Sequence, residues 1–410
     1  MKRNLYGIDS KSTIYVATPF SSRTHDFVDS SIFIKPSRLD LSHGSNLLEP
    51  PHRLQEAIAK ASIWGLTMAQ YDSPFGPSSL RELIAEYEST ISEEKISLDN
   101  ILITLGGTDG LALYFQCRAS EIITEPTALL IGPQYPTIAR IAEAAGFTVA
   151  MTQCSSIEFK LPETAMLEWR PNTVVLTQPS NPFGTFVSND DFASLCAACA
   201  SIEADIVVDR VCGDVSSPYY HPSPKYRTIA KENGIRITEI ESYSKRRGIP
   251  GLRIGYNIMS PEDVHWCANA VTGRTITSIG CAAVECDTMA FLDKDEEYIT
   301  HIANNHAIVN RNVCTLRDVL GSKLINCSNP TNGANFLASV LLPRSMLESS
   351  AAFWLHSAYQ LGTYPVSCFE LWPELDETDV MRIRITAATP PEEFDKAVSV
   401  LLSALSEGDS

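Results

Sequence analysis

Residues 241–258 read ESYSKRRGIPGLRIGYNI. The stretch joins the end of one apolar, β-branched run, RITEIES (236–242), to a second, LRIGYNI (252–258), through a polar turn. Runs of this length and composition predict strands. Inside the turn Lys245 follows two hydroxyl residues, Ser242 and Ser244, and precedes Gly251, Arg253 and Gly255. Glycines allow close backbone approach, and an arginine can clamp a phosphate through two parallel hydrogen bonds. A lone lysine in a turn is solvated surface, whereas a lysine in this company is a candidate for chemistry.

Upstream, the short runs ILIT (101–104), TALLI (127–131), TVVLT (173–177) and DIVVD (205–209) alternate with amphipathic stretches such as PTIARIAEAAG. Such alternation predicts an α/β domain around a mainly parallel sheet. Ligands of open parallel sheets sit beyond the carboxyl ends of the strands. The polar residues there form one set: LGGTDG after ILIT, QPSNPFG after TVVLT, Asp209 after DIVV, and Ser242, Ser244 and Lys245 after RITEIE. Gly106 and Gly107 at a helix start suit either a tight turn or a phosphate drawn by the positive end of the helix dipole. A dinucleotide fingerprint would need glycine at 105, which is Leu, so a nicotinamide cofactor has little support.

Downstream, Val284, Leu292, Ile299, Ile302, Val309, Val313, Leu316 and Leu320 predict one long helix over 281–320, stopped by Gly321. A smaller α+β unit follows, with strand-like FLASVLL and MRIRITAA and the helix EEFDKAVSVLLSAL. The helix PPHRLQEAIAKA ends an irregular first fifty residues, which are expected to pack with that unit.

The 410 residues leave room for two or three domains, and 44% hydrophobic with 20% charged residues is a globular composition. The 49 acidic against 32 basic residues give a net charge of −17, which argues against nucleic acid or anionic membrane as partners. No apolar run approaches a spanning helix or a signal peptide, so a cytoplasmic protein is expected. The eleven cysteines lack a secreted disulfide pattern. Cys196 and Cys199 form a CxxC inside a helical run with no second ligand pair, and His301 and His306 are five apart, so no metal site is predicted.

The whole pattern around Lys245 resembles the cofactor-lysine segment of the class I and II aminotransferases, the fold type I pyridoxal 5′-phosphate (PLP) enzymes, and the resemblance extends in order from about residue 40 to residue 400. It implies a fold type I PLP-transferase: a large α/β domain (50–295) with a mainly parallel sheet between helices, and a smaller α+β domain built from both termini (1–49 and 296–410). Lys245 takes the place of the lysine that forms the internal aldimine and carries protons. Asp209 takes that of the aspartate paired with the pyridinium nitrogen, whose charge makes the ring an electron sink. Asn181, in QPSNPFG, matches the asparagine that holds the phenolic oxygen. Gly107, Thr108, Ser242, Ser244 and Arg253 match the phosphate site, and Tyr135 of PQYP the aromatic stacked on the ring. Tyr71, in YDSPFGPSSLRE, matches the tyrosine that reaches the neighbouring subunit's phosphate, which implies a homodimer with shared sites. In MRIRITAAT, Arg384 matches the arginine that grips the substrate carboxylate, with Arg382 as the fallback. Gly44 and Arg274 complete the implied substrate-binding set, Arg274 reaching towards an acidic side chain.

Four departures stand out: Cys212 where the family has tyrosine, Gln178 and Phe183 within NPxNPTG, and Arg246 with Arg247 directly after the lysine. The binding apparatus is intact while groups that tune the cofactor differ. An aminotransferase acting on an amino acid and a keto acid is the expected function. A PLP-dependent lyase, cyclase or oxidase of specialised amino-acid metabolism and a non-catalytic PLP-binding protein are the alternatives.

Overall fold

The computed structural model describes residues 14–16, 38–42, 44–61, 71–152, 159–213, 225–270, 276–326, 337–341, 355, 358–366 and 382–408. Its first elements are β1 (Ile14–Val16), β2 (Leu39–Asp40), α1 (His52–Ala61), α2 (Ser78–Ser92), β3 (Ile101–Thr104), α3 (Gly107–Glu121), β4 (Thr127–Leu130) and α4 (Pro136–Ala144). Next come β5 (Thr148–Thr152), α5 (Glu163–Trp169), β6 (Thr173–Thr177), α6 (Asn189–Ile202), β7 (Asp205–Asp209), α7 (Tyr226–Glu232), β8 (Ile237–Ser242), α8 (Tyr243–Arg246), β9 (Gly255–Ile258) and α9 (Pro261–Ala270). The chain continues through α10 (Ser278–Leu292), α11 (Glu296–Leu320), β10 (Leu324–Asn326), β11 (Leu337–Leu341), β12 (Leu361–Gly362), β13 (Tyr364–Pro365), β14 (Arg382–Thr386) and α12 (Pro391–Gly408).

Eight strands form the main sheet in the order β1-β5-β4-β6-β7-β8-β9-β3. The run from β5 to β8 is parallel, and β9 pairs antiparallel with both β8 and β3. Every residue of β6 and β7 is buried, as expected of parallel strands covered by helices on both faces. Because β3 runs with β8, the ends of β3, β6, β7 and β8 open on one edge. A second sheet, β10-β11-β14-β13, is antiparallel and packs its apolar face, including Ile383 and Ile385, against α11 and α12. Among the described residues no helix is long and apolar enough to cross a membrane.

Two expectations need correction. Ile14–Val16 pairs with β5 at the edge of the main sheet, so this part of the first fifty residues does not lie with the second sheet. The single helix over 281–320 is two helices: Lys294 takes a left-handed conformation at φ 54°, and the Asp295 side chain accepts from the Tyr298 N–H to start α11 afresh. The apolar spacing runs through the break because the residues on either side of it, Phe291 and Leu292 before and Tyr298, Ile299 and Ile302 after, pack in one cluster.

Beneath the open edge lies a buried cluster of charge. Glu239 and Glu241 alternate to one face of β8, towards Glu88 on α2. Arg210, directly after Asp209, donates to Glu239, lies 3.3 Å from a Glu88 oxygen, and places its Nε 3.3 Å from Glu241. Arg246, directly after Lys245, lies 3.2 Å from Glu241 and donates at 3.0 Å to the Tyr256 hydroxyl, which donates at 2.6 Å to Glu88. The Arg246 guanidinium also sits 4.8 Å from the ring centre of Tyr87 and 5.3 Å from that of Tyr243. Burial alone would push the Glu88 carboxyl up, but Arg210, Arg227, Arg246 and the Tyr256 hydroxyl outweigh it and hold the group at about 2. Arg247 is buried too, bonded to Asp287 and to the Tyr298 hydroxyl, each at 3.0 Å.

Removing one partner of such a cluster strands the others in a dry interior. Arg246→Met is therefore expected to cost about 3–5 kcal/mol of unfolding free energy, read by urea denaturation of the cofactor-free protein. A cost below about 1 kcal/mol would mean that water reaches the carboxylates and that the cluster is electrostatically slack.

Candidate active site

The turn from β3 into α3 is built on close backbone approach. Gly106 has φ 88°, and a Cβ there would lie 2.9 Å from the Arg253 guanidinium. A Cβ on Gly255 would lie 2.5 Å from the Glu241 carbonyl oxygen and 2.9 Å from the Gly106 backbone. Glycine at both positions lets β9 run against the turn and sets Arg253 over the start of α3. Arg253 donates to the Leu105 and Pro250 carbonyls, each at 2.9 Å. Gly107 is buried and Thr108 exposed on the first turn of α3. A guanidinium beside a helix N-terminus makes this corner receptive to an anion.

Asp209 ends β7 and is buried. Burial pushes its carboxyl up to about 6, against the pull of the Val211 N–H, which it accepts at 3.1 Å. Cys212 turns into the apolar cluster of the second sheet, beside Leu41 and Leu48. Its thiol is pushed up to about 12 by burial and then by Asp209, so it is neutral and packs as a small hydrophobe. Lys245 lies on the short α8, and its Nζ donates to Ser45 Oγ at 3.0 Å. Burial lowers the proton affinity of the amine, and the cations Arg384 and Arg253 lower it further.

The facing wall comes from β14. Arg384 and Thr386 are buried on the side opposite Ile383 and Ile385, as strand alternation requires. The Arg384 guanidinium donates to Asn181 Oδ1 at 3.0 Å and to the Ser42 carbonyl, and lies 5.0 Å from the Tyr364 ring centre. A Cβ on Gly44 would come within 3.0 Å of this guanidinium, so the chain passes directly over it.

Gly44, Gly107, Asn181, Asp209, Cys212, Ser244, Lys245, Arg253 and Arg384 are thus brought to one edge of the main sheet. Ser242 is there as well: its hydroxyl accepts the Ser244 N–H at 3.1 Å and donates to Ser244 Oγ at 2.9 Å, capping α8. Tyr135, at the N-cap of α4, is 43% exposed. Tyr71 is 90% exposed, so within its own chain it packs on little. Arg274 and the Arg382 side chain lie outside the described residues. Cys196 and Cys199 are buried in the core of α6, and no metal-holding cluster of His, Cys, Asp and Glu occurs among the described residues. Ser42, Ser45 and Tyr364 carry no motif in the sequence. Only the glycine of HGSN hints that the chain there passes close to something.

A family model for aminotransferase class I and II matches residues 36–401. The chain belongs to that family. The chain is 27% identical over 51% of its length to L-aspartate:5-guanidino-3-methyl-2-oxopentanoate transaminase of Pseudomonas syringae pv. syringae, spanning 52% of that protein. It is 22% identical over 72% of its length to 1-aminocyclopropane-1-carboxylate synthase of Malus domestica, spanning 66% of it. Its fold matches the structure of aspartate aminotransferase from Thermus thermophilus with maleate at a TM-score of 0.73, with 17% identity over 90% of this chain and 92% of the other.

The cofactor of this family, pyridoxal 5′-phosphate, offers a phosphate, a ring nitrogen that is cationic when protonated, and an aldehyde open to an amine. The chain has a counterpart for each. The corner of α3 and Arg253 suits the phosphate, the buried Asp209 carboxyl gains from a cation, and the depressed proton affinity of Lys245 favours the neutral, nucleophilic amine.

Asp209 generates a pH test. Its folded value near 6 lies above the usual 3.8, so its protonated form favours the native state. That contribution is present below about pH 4 and lost as pH rises through about 6. The cofactor-free Asp209→Asn variant should therefore match wild type in Tm near pH 4, exceed it above pH 6, and bind the cofactor more weakly. A Tm difference that does not change between these pH values would show that the carboxylate is already compensated.

Proposed function

We propose that the protein is a PLP-dependent aminotransferase acting on an amino acid and a keto acid, with Lys245 as the cofactor lysine. The observation that carries this reading is the convergence, on one sheet edge, of a half-buried amine (Lys245), a buried carboxylate (Asp209) and an asparagine bonded to a buried arginine (Asn181 and Arg384) beside an anion-receptive helix start. When bound, pyridoxal 5′-phosphate supplies a sink for the electron pair released at the substrate α-carbon.

The chain's own residues do the rest. Gly107, Thr108, Ser242, Ser244 and Arg253 would hold the phosphate, and Asp209 would pair with the ring nitrogen. Arg384, oriented by Asn181 and the Ser42 carbonyl and braced on Tyr364, takes the substrate carboxylate as a bidentate pair. Asn181, whose amide oxygen accepts from Arg384, would hold the phenolic oxygen through its amide nitrogen. Tyr135 covers the ring. Lys245 takes the α-proton onto Nζ and returns it, a task suited to an amine of lowered proton affinity. Gly44 and Arg274 complete the substrate side.

We place residues 50–295 in a large cofactor domain and 1–49 with 296–410 in a smaller one, except for Ile14–Val16, which joins the main sheet. The free thiols of the described cysteines support a cytoplasmic location. The exposure of Tyr71 supports a homodimer in which this ring completes the partner's phosphate site. Cys212 supports a second reading, a lyase, cyclase or oxidase: the buried thiol is a poor donor, so the cofactor oxygen is less restrained than it would be with a tyrosine.

Borohydride reduction of the loaded protein and peptide mapping should place the pyridoxyl group on Lys245. Conversion of an amino acid should then stop after one turnover without a keto-acid acceptor. Continued turnover without acceptor would replace the first reading with the second. For the dimer, mixing Lys245→Ala with Tyr71→Phe should form hybrids with one intact site and recover activity over both parents. No recovery would place Tyr71 in its own subunit's site or outside both.

A further inference from the structure

The chain segment that passes over Arg384 continues from Gly44 into Ser45, whose hydroxyl has no part in the reading above. It lies 3.0 Å from the Lys245 amine and accepts from it. Its position is set by the backbone on both sides. The Ser45 carbonyl accepts from Thr386 Oγ1 at 3.2 Å, two residues along β14 from Arg384, and the Ser42 carbonyl accepts from Arg384 itself. The Leu47 N–H donates to the Ala388 carbonyl at 2.8 Å. On the other side, Gly248, three residues after Lys245, packs so closely on the Asn46 carbonyl that a Cβ there would lie 2.9 Å from its oxygen. The hydroxyl is thereby carried by a strip of backbone fastened to β14 above and to the lysine turn below.

We propose that Ser45 receives the Lys245 amine whenever that amine is not covalently engaged, and holds it on the side of the site where Arg384 binds the substrate carboxylate. The inference rests on Lys245 being the cofactor lysine. During turnover an amino acid must take the lysine's place, so a free amine on a flexible four-carbon stem has to stay within reach of the α-proton. A fixed acceptor limits its search and keeps it near the reacting carbon. The strip that carries Ser45 also contributes the Ser42 carbonyl to Arg384, so substrate binding and amine placement share one support.

The groups facing the amine define the expected effect. Cys212, from the loop after β7, is neutral at working pH, while Arg384 from β14 and Arg253 from the turn after α8 are cations that disfavour an ammonium. The Ser45 oxygen is the acceptor that an ammonium can use. Deleting it should let the amine lose its proton at lower pH, and a threonine should preserve the bond.

The test uses cofactor-free, full-length protein labelled with trinitrobenzenesulfonate across pH, with peptide mapping to follow Lys245 alone. Ser45→Ala should move the labelling midpoint down by about 0.5 unit or more, Ser45→Thr should keep the wild-type midpoint, and Ser45→Cys should fall between them. In the loaded enzyme Ser45→Ala should lower kcat with little change in KM, and Ser45→Thr should restore it. Identical midpoints for wild type, alanine and cysteine variants overturn the proposal while leaving the cofactor assignment intact, provided borohydride still traps pyridoxyl on Lys245. Pyridoxyl on a different lysine overturns the assignment and this proposal together.

Discussion

The guanidinium groups of Arg210 and Arg246, buried among Glu88, Glu239, Glu241 and three tyrosine rings, fix the two residues on which the proposed chemistry depends. Arg210 is bonded to Asp209 through the backbone, and Arg246 is bonded in the same way to Lys245. Each functional residue therefore points to the open edge while its neighbour is held from behind by charge. Such clusters are close to neutral in net stability compared with apolar packing, and they are intolerant of displacement. The gain is geometric: the spacing between amine and carboxylate is set by one network spanning α2, β7, β8 and α8.

The two kinds of buried carboxylate sharpen the contrast. Glu88 is surrounded by cations and held near 2, so it is permanently charged and has no spare capacity for a ligand. Asp209 is as deeply buried, yet burial dominates its surroundings and raises it to about 6. A protein that places a poorly compensated carboxylate a single residue from a fully compensated cluster has concentrated its strain where a cationic ligand relieves it. Stability in the cofactor-free state is the cost of that arrangement.

Much of this was legible in the sequence. Strands such as TVVLT and DIVVD are apolar throughout because both faces are covered, and the polar residue that ends each run marks the ligand edge. Lys245, Asp209, Asn181 and Arg384 stand out in this way and by resemblance, and the fold brings them to one edge. What stayed hidden depends on long-range contact. TVAMT (148–152) forms β5 although its composition is unremarkable, because its neighbours β4 and β1 complete it. The break at 293–295 was invisible to periodicity, since the apolar stripe resumes in phase. Arg246 and Arg247 look like surface in the sequence and are buried because Glu241 and Asp287, far off in the chain or on another face, meet them.

The segment 41–48 shows why the substrate side was the hardest part to read. Leu41 and Leu48 anchor it in the apolar core of the second sheet, while between them the Ser42 carbonyl, Gly44 and Ser45 face Arg384 and Lys245. Its functional contacts are carbonyl oxygens, a missing side chain and one hydroxyl, none of which leaves a signature in residue types. The same economy explains Cys212, which contributes its bulk to that core and its neutrality to the amine. The proposed substrate wall and the surroundings of the lysine thus rest on one apolar core, which holds Leu41, Leu48 and Cys212 together.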